Sequence, residues 1–425
     1  MTTLRKLLIA ILVVIFAVFV IFFGRLPALR NTPISALNRL LVVKVPAFIL
    51  WLDNAVTGGR FGACLVNSGS FLVNERHPLV LIFFVVVMLG SEYMFLPAAW
   101  QYMSTVNRVC GPIAVIMPYV FLYLASFTDP GFITPETHVY YMAQYPYDFS
   151  IFHPGNFCHT CRLLKPARSK HCSVCKCCVS KMDHHCVFLN QCVGQKNHRY
   201  FIMLLLSTAV LTTYGGLLGC SILTERVVVR YPLWSLWKPG SMSWNDYFVI
   251  LGWALERNTF IGAVALLAIL CSPMVWMFLF YTLFLVYCGT TTNESLKWAD
   301  WKVEIGDGVV YRRSMSLARE KYLNIEPAVT RWPTETEQIL TRVEDGHVPD
   351  PNFPGRGEWE RVDSLRDVDN LYDLGFADNM RDIFYRDYPF KDKYRERELQ
   401  QAKNGLPPFE NATRRRKRRA KAAAI

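Results

Sequence analysis

Charge is what this sequence has least of. Asp, Glu, Lys and Arg make up 19% of its 425 residues, against roughly 25% in globular proteins. Hydrophobic residues account for 52%, aromatics for 14%, and mean hydropathy is +0.19. That shortage excludes a soluble enzyme or a transcription factor. Internal repeats and long low-complexity segments are also missing, which argues against a transporter built from two related halves. The first three hydrophobic runs carry no charge in their apolar centres, and Glu256 and Arg257 sit only at the entrance of a later one. Nothing resembles an ion path.

What is present is a series of apolar runs near the bilayer-spanning length of about 20 residues. Residues 7–24, 78–95, 110–127, 200–223 and 260–285 predict five spans. The first is longer than a secretory signal's apolar core and has no small-residue cleavage site after it, so it reads as a span. Residues 40–52, interrupted by Lys44 and Pro46, are too short to cross and are expected along the membrane surface. Lys and Arg number six between the first two runs, one between the second and third, eight between the third and fourth, and three in residues 224–246. This alternation puts residues 25–77, 128–199 and the tail after Cys288 in the cytosol, and the N-terminus in the lumen. The net charge of +12 is largely a tail effect, because residues 414–421 supply seven positive charges. On a polytopic chain that block suits anionic lipid rather than nucleic acid, and no nucleic-acid partner is expected.

Eight of the 13 cysteines fall between Cys158 and Cys192. They include two CxxC pairs, Cys158 with Cys161 and Cys172 with Cys175, followed by Cys178, His185 and Cys192. Such density reads as metal binding or thiol chemistry in a reducing compartment. Tetrahedral zinc takes four Cys or His ligands, so two sites use eight. Residues 158–198 offer eight cysteines and five histidines, and several thiols and imidazoles are left over. Asp183, His184, His185 and Cys186 are consecutive. One histidine can bind metal while the other and Cys186 stay free, with a carboxylate to orient the imidazole. A free thiol of pKa about 8.5 is only slightly ionised at neutral pH, and a neighbouring base raises that fraction. A purely structural zinc module that docks a partner would have no use for Cys186.

The segment CHTCRLLKPARSKHCSVCKCCVSKMDHHCVFLNQCVGQKNHRYF resembles the Cys-rich domain of the DHHC family of protein S-acyltransferases (palmitoyltransferases). The likeness includes Lys165, Pro166 and Arg168 between the pairs, and Asn190, Gly194, Asn197 and Phe201 after the tetrapeptide. It extends to Asp129–Pro130–Gly131, to Thr291, Thr292, Asn293 and Glu294, and to Asn370, Tyr372, Gly375, Phe376 and Asn379 in the tail. The resemblance implies one zinc on Cys158, Cys161, His171 and Cys178 and a second on Cys172, Cys175, His185 and Cys192. Cys177 is left outside, exchangeable with Cys178, and His159 and His198 read as surface or packing residues. There are two departures: Val187 and Phe188 stand where the family usually has Pro and Trp, and the chain has an extra first span. That span and the NHRYF ending resemble the fungal endoplasmic-reticulum branch that acylates SNAREs and other transmembrane proteins.

The implied fold is an all-α polytopic membrane protein of about five transmembrane helices, with a zinc-stabilised Cys-rich cytosolic domain between spans three and four. Its expected divisions are an N-terminal membrane region (1–127), the Cys-rich domain (128–199), two further spans (200–288) and a cytosolic tail (289–425). The implied reaction is transfer of a long-chain acyl group from palmitoyl-CoA, through an acyl-enzyme on Cys186, to cysteine thiols of membrane proteins. His184 is the expected general base and Asp183 its orienting partner. Lys165 and Arg168, with Lys170, are candidates to contact CoA phosphates. Two zinc ions have a structural task. Partners are palmitoyl-CoA, the lipid bilayer, and transmembrane or membrane-associated substrates with juxtamembrane cysteines, SNAREs among them. The expected location is the endoplasmic-reticulum membrane, with the Golgi as the alternative.

Overall fold

The computed structural model describes residues 32–237, 239–314, 325–332, 339–343, 347–350 and 356–403, together with Phe16 and Val20. The expected span at residues 7–24 therefore lies outside the described residues, apart from those two. Five helical segments among the described residues are long and apolar enough to cross a bilayer: Pro33–Thr57, Leu79–Tyr102, Thr105–Phe127, His198–Val228 and Thr259–Tyr287. The chain is a multi-pass membrane protein, mostly helical, with its Cys-rich segment between the third and fourth of these helices.

One of the five was not expected. Residues 40–52 belong to a continuous 25-residue helix rather than to a short surface segment. It consists of α1 (Pro33–Arg39), a π-helical turn at Leu40–Lys44, and α2 (Val45–Thr57). Pro46 directly follows the π turn, in which the Val45 N–H bonds five residues back to the Leu40 carbonyl, and that local change of register accommodates the proline's missing N–H.

The chain forms two compact units. The first comprises residues 1–77 and 219–263. Here α2 turns into α3 (Arg60–Asn74) through Gly58 and Gly59, both at positive φ. Asp53 ties the turn by accepting from the backbone N–H of Phe61 (3.2 Å) and Gly62 (2.6 Å). Elsewhere in this unit Trp234 stacks on Tyr247 at 5.9 Å.

The second unit comprises residues 78–218 and 264–425. It holds α4 (Leu79–Ala99), α5 (Thr105–Phe127) and α6 (His138–Gln144). It also holds most of two long helices, α7 (His198–Val228) and α9 (Thr259–Tyr287); α8 (Trp244–Arg257) belongs to the first unit. The Cys-rich segment folds as three short antiparallel hairpins: β1 (Phe157–Cys158) with β2 (Leu163–Leu164), β3 (Lys170–Cys172) with β4 (Cys177–Val179), and β5 (His184–Cys186) with β6 (Gln191–Val193). Each turn carries one residue in the left-handed region: Arg162, Lys176 and Asn190.

The tail continues as α10 (Thr292–Gly306) and a three-stranded sheet of β7 (Val310–Ser314), β8 (Ile339–Arg342) and β9 (Arg356–Arg361) in the order β8-β7-β9. It ends in α11 (Phe376–Phe384) and α12 (Phe390–Lys403). An aromatic-rich core joins the tail to the Cys-rich segment, with Tyr145, Tyr147, Phe149 and Phe152 packed against Trp298, Tyr372 and Phe390. The tail is thus a wall of the Cys-rich domain.

Candidate active site

Two tetrads of thiol and imidazole groups form where the hairpins meet. Cys158, Cys161, His171 and Cys178 make one, and Cys172, Cys175, His185 and Cys192 the other. In the first, His171 Nδ1 lies 3.5, 3.4 and 3.8 Å from the three sulfurs. In the second, His185 Nδ1 lies 3.7, 3.4 and 3.6 Å from its three. A tetrahedral zinc with bonds of about 2.3 Å to sulfur and 2.0 Å to nitrogen requires edges of about 3.6 Å. Both donor sets therefore fit zinc in identity, number and spacing. Cys177 lies outside them, its sulfur directed at the carbonyl of Ile133 at 3.8 Å.

Strand β5 belongs to the second tetrad through His185, so the residues on either side inherit its rigidity. Asp183, 4% exposed, is held by four contacts. Its Oδ1 accepts from the Thr292 N–H at 2.5 Å, and its Oδ2 from the Thr292 hydroxyl at 3.0 Å. Its backbone carbonyl accepts from the Asn293 N–H at 3.1 Å. Oδ2 also meets His184 Nδ1 at 2.7 Å. Burial is the largest single influence on Asp183 and opposes its ionisation, but the His184 bond, the neighbouring imidazole charges and the Thr292 N–H together outweigh it and push the carboxyl down to about 2. For His184, burial alone would lower the pKa; the bonds to Asp183 and to Cys186 raise it to about 10. At neutral pH the imidazole is therefore a cation between a carboxylate and a sulfur. Its ring stands edge-on to Phe201 at 5.2 Å, which fixes the orientation.

Behind Asp183 stands the N-terminus of α10, closed by a reciprocal cap between Thr291 and Glu294. Thr291 also donates to the carbonyl of Met182 at 3.0 Å. Glu294 takes both nitrogens of the Arg168 fork at 2.7 Å, and Arg168 donates further to the Gly289 carbonyl at 3.0 Å. The guanidinium lies over the rings of Tyr372 (4.6 Å) and Tyr145 (5.1 Å). This corrects one expectation: Arg168 is 2% exposed and fully engaged, so it braces α10 and does not reach a CoA phosphate. Lys165 is placed differently. It lines a cavity of about 300 Å³ with Lys170, Lys297, His153 and Asn293, and the amide nitrogen of Asn293 is buried there without a partner.

Cys186 ends β5. It is 8% exposed, belongs to neither tetrad and lies at one end of an elongated cavity of about 590 Å³. The wall is apolar: Phe84 and Phe95 from α4, Leu204 and Leu211 from α7, Leu267 and Phe278 from α9. On α7 the lining runs from Phe201 to Leu218 and on α9 from Phe278 to Val264, so the cavity follows the helices for about 20 Å. Phe188 packs edge-on against Phe84 at 5.8 Å beside Cys186, an aromatic shutter two residues after the thiol.

Sequence reasoning placed Asp183, His184, Cys186 and both tetrads together, and the structure gathers those residues. His198, read as a surface or packing residue, is a packing one: it is 3% exposed, its ring lies 6.5 Å from that of Phe201, and neither ring nitrogen has a hydrogen-bond partner. Sequence reasoning missed Lys181 and Asp382, a buried ion pair at 2.5 Å joining the Cys-rich segment to α11. A carboxylate inside a span, Glu92 on α4, was likewise passed over; Tyr119 on α5 donates to it at 2.8 Å. The signal was a single Glu thirteen residues into an apolar run, which a hydropathy window averages away.

A thiol outside both tetrads, beside an oriented imidazole and lining an apolar cavity between membrane helices, is an arrangement that fits a membrane-embedded acyltransferase. A family model described as DHHC palmitoyltransferase matches residues 151–299. Palmitoyltransferase SWF1 of Neurospora crassa is 49% identical over 405 residues, covering 92% of this chain and 94% of that protein. Palmitoyltransferase swf1 of Emericella nidulans is 39% identical (86% and 93% covered) and that of Schizosaccharomyces pombe 31% (89% and 94%). The chain belongs to the DHHC palmitoyltransferase family and is a protein S-acyltransferase.

Proposed function

We propose that Cys186 carries the acyl group and that palmitoyl-CoA is the donor. The observation that supports this most strongly is the Cys186 sulfur: free of both metal tetrads, bonded to His184, and opening on the 590 Å³ cavity. The Cys186 thiolate attacks the thioester carbonyl. The bond to CoA sulfur breaks, and the leaving thiolate takes the proton held on His184. In the second half, the incoming substrate thiol returns a proton to His184 and attacks the acyl-enzyme, releasing Cys186 as thiolate. One thioester replaces another, so no nucleotide hydrolysis is needed. Asp183 keeps the imidazole aligned throughout, and favours its charged form before the first transfer and after the second.

An extended 16-carbon chain measures about 19 Å, which matches the cavity, and each sheltered methylene contributes about 0.8 kcal/mol. The pocket of Lys165, Lys170 and Lys297 is the proposed seat of the CoA phosphates; the orphan Asn293 donor supports it. Two zinc ions on the tetrads would hold the hairpins rigid, supplying structure and no acid or base. The charge distribution supports a cytosolic Cys-rich domain and tail. The likeness to the fungal endoplasmic-reticulum branch supports residence in that membrane and substrates with juxtamembrane cysteines, SNAREs included.

The test is mass spectrometry of purified protein after brief exposure to palmitoyl-CoA. One hydroxylamine-labile adduct on Cys186 is expected, absent from Cys186→Ala with zinc content unchanged. An adduct that persists in Cys186→Ala would refute the assignment.

A further inference from the structure

We propose that Glu92 selects the acyl chain, favouring chains with a cis double bond near their middle over saturated ones. The inference rests on the reading of the large cavity as the acyl site. That cavity is apolar apart from a few wall residues, among them Ser91, Glu92, Thr208 and Thr212. Two of these satisfy themselves: Ser91 donates to the Val87 carbonyl at 2.8 Å and Thr212 to that of Thr208 at 2.9 Å. The other two do not. Glu92 Oε2 accepts from Tyr119, while Glu92 Oε1 and the Thr208 hydroxyl are buried without partners. A polar group left so in hydrocarbon is costly, and an intramembrane carboxyl marks function by default.

The two orphans lie at one depth. Glu92 is eight residues beyond Phe84, which packs on Phe188 beside Cys186, and Thr208 is seven beyond Phe201, which packs on His184. Both are thus about 11 Å along the cavity, where a chain on Cys186 presents roughly its ninth or tenth carbon. Carried as the acid, Glu92 accepts from Tyr119 on Oε2 and bears its own O–H on Oε1. That hydrogen, like the Thr208 hydroxyl, needs an acceptor. A methylene offers none, but the π electrons of an alkene do. A small rotation of either side chain turns the group toward the chain, since the terminal torsion of Glu is soft.

The experiment gives the purified full chain an equimolar mixture of hexadecanoyl-CoA and hexadecenoyl-CoA with a cis bond at roughly the ninth carbon, and reads the ratio of the two Cys186 adducts by intact mass. Wild type is expected to favour the unsaturated chain by about two- to fivefold, the range of a weak hydrogen bond. Glu92→Leu should bring the ratio to about one, and Glu92→Gln, which keeps an N–H donor, should restore the preference. Should Glu92→Leu fail to fold, Thr208→Val must lower the ratio in its place. A wild-type ratio at or below one, or a ratio indifferent to both residues, overturns the selection and leaves the acyl-enzyme intact. No adduct from either donor overturns both.

Discussion

The brace behind the active site predicts a specific energetic pattern. Arg168 and Glu294 are buried to 2% and 1% side-chain exposure and joined by two bonds of 2.7 Å. Replacing Glu294 by Gln leaves a buried guanidinium without its charge partner, a defect of about 3–5 kcal/mol. Asp382 stands 3.9 Å from Arg168 and offsets part of it, so the lower end, about 3 kcal/mol, is expected. At about 2–4 °C per kcal/mol for a unit of this size, the unfolding midpoint should fall by about 6–12 °C. Activity should fall below that temperature too, because Glu294 caps the helix whose Thr292 holds Asp183. The assay is tryptophan fluorescence against temperature in detergent micelles, with acyl-enzyme formation measured at 20 °C below the midpoint, for Glu294→Gln, Arg168→Met and the pair Arg168→Met/Glu294→Leu. The double variant should be more stable than either single one, since two apolar groups leave no charge stranded. If the losses simply add, or Glu294→Gln costs less than about 1 kcal/mol, the brace is not what holds this region.

Metal analysis should find two zinc ions per chain in wild type and in Cys177→Ser and a reduced content in Cys158→Ser. Loss of zinc from Cys177→Ser would show that the first tetrad is misassigned.

Much of the site could be read from the chain because zinc chemistry is local. Ligands two residues apart need only a tight turn to share an ion, so spacing shows the two CxxC pairs and a surplus of thiols; the full ligand sets, which leave Cys186 outside, come from the resemblance to the DHHC Cys-rich domain. Arg168 shows where that reasoning stops. Its position beside the first CxxC pair suggested a phosphate contact, yet Glu294, 126 residues away, claims it. The helix at Pro33–Thr57 was missed because a charge and a proline look like breaks, whereas a π turn lets both continue. Glu92 was missed because hydropathy is an average and cannot register one group whose partner is on another span.

By itself, then, the sequence determined a multi-pass chain, a Cys-rich insert between its third and fourth described spans, and a cysteine, Cys186, with His184 and Asp183 close beside it in the chain, all properties of composition and near-neighbour spacing. Only the tertiary structure decided which charges are buried and spent, that α10 orients Asp183, and that four helices line a chain-length cavity at Cys186. Those depend on groups far apart in the chain meeting in a low-dielectric interior, where an unpaired charge costs several kcal/mol, and no local pattern records such meetings.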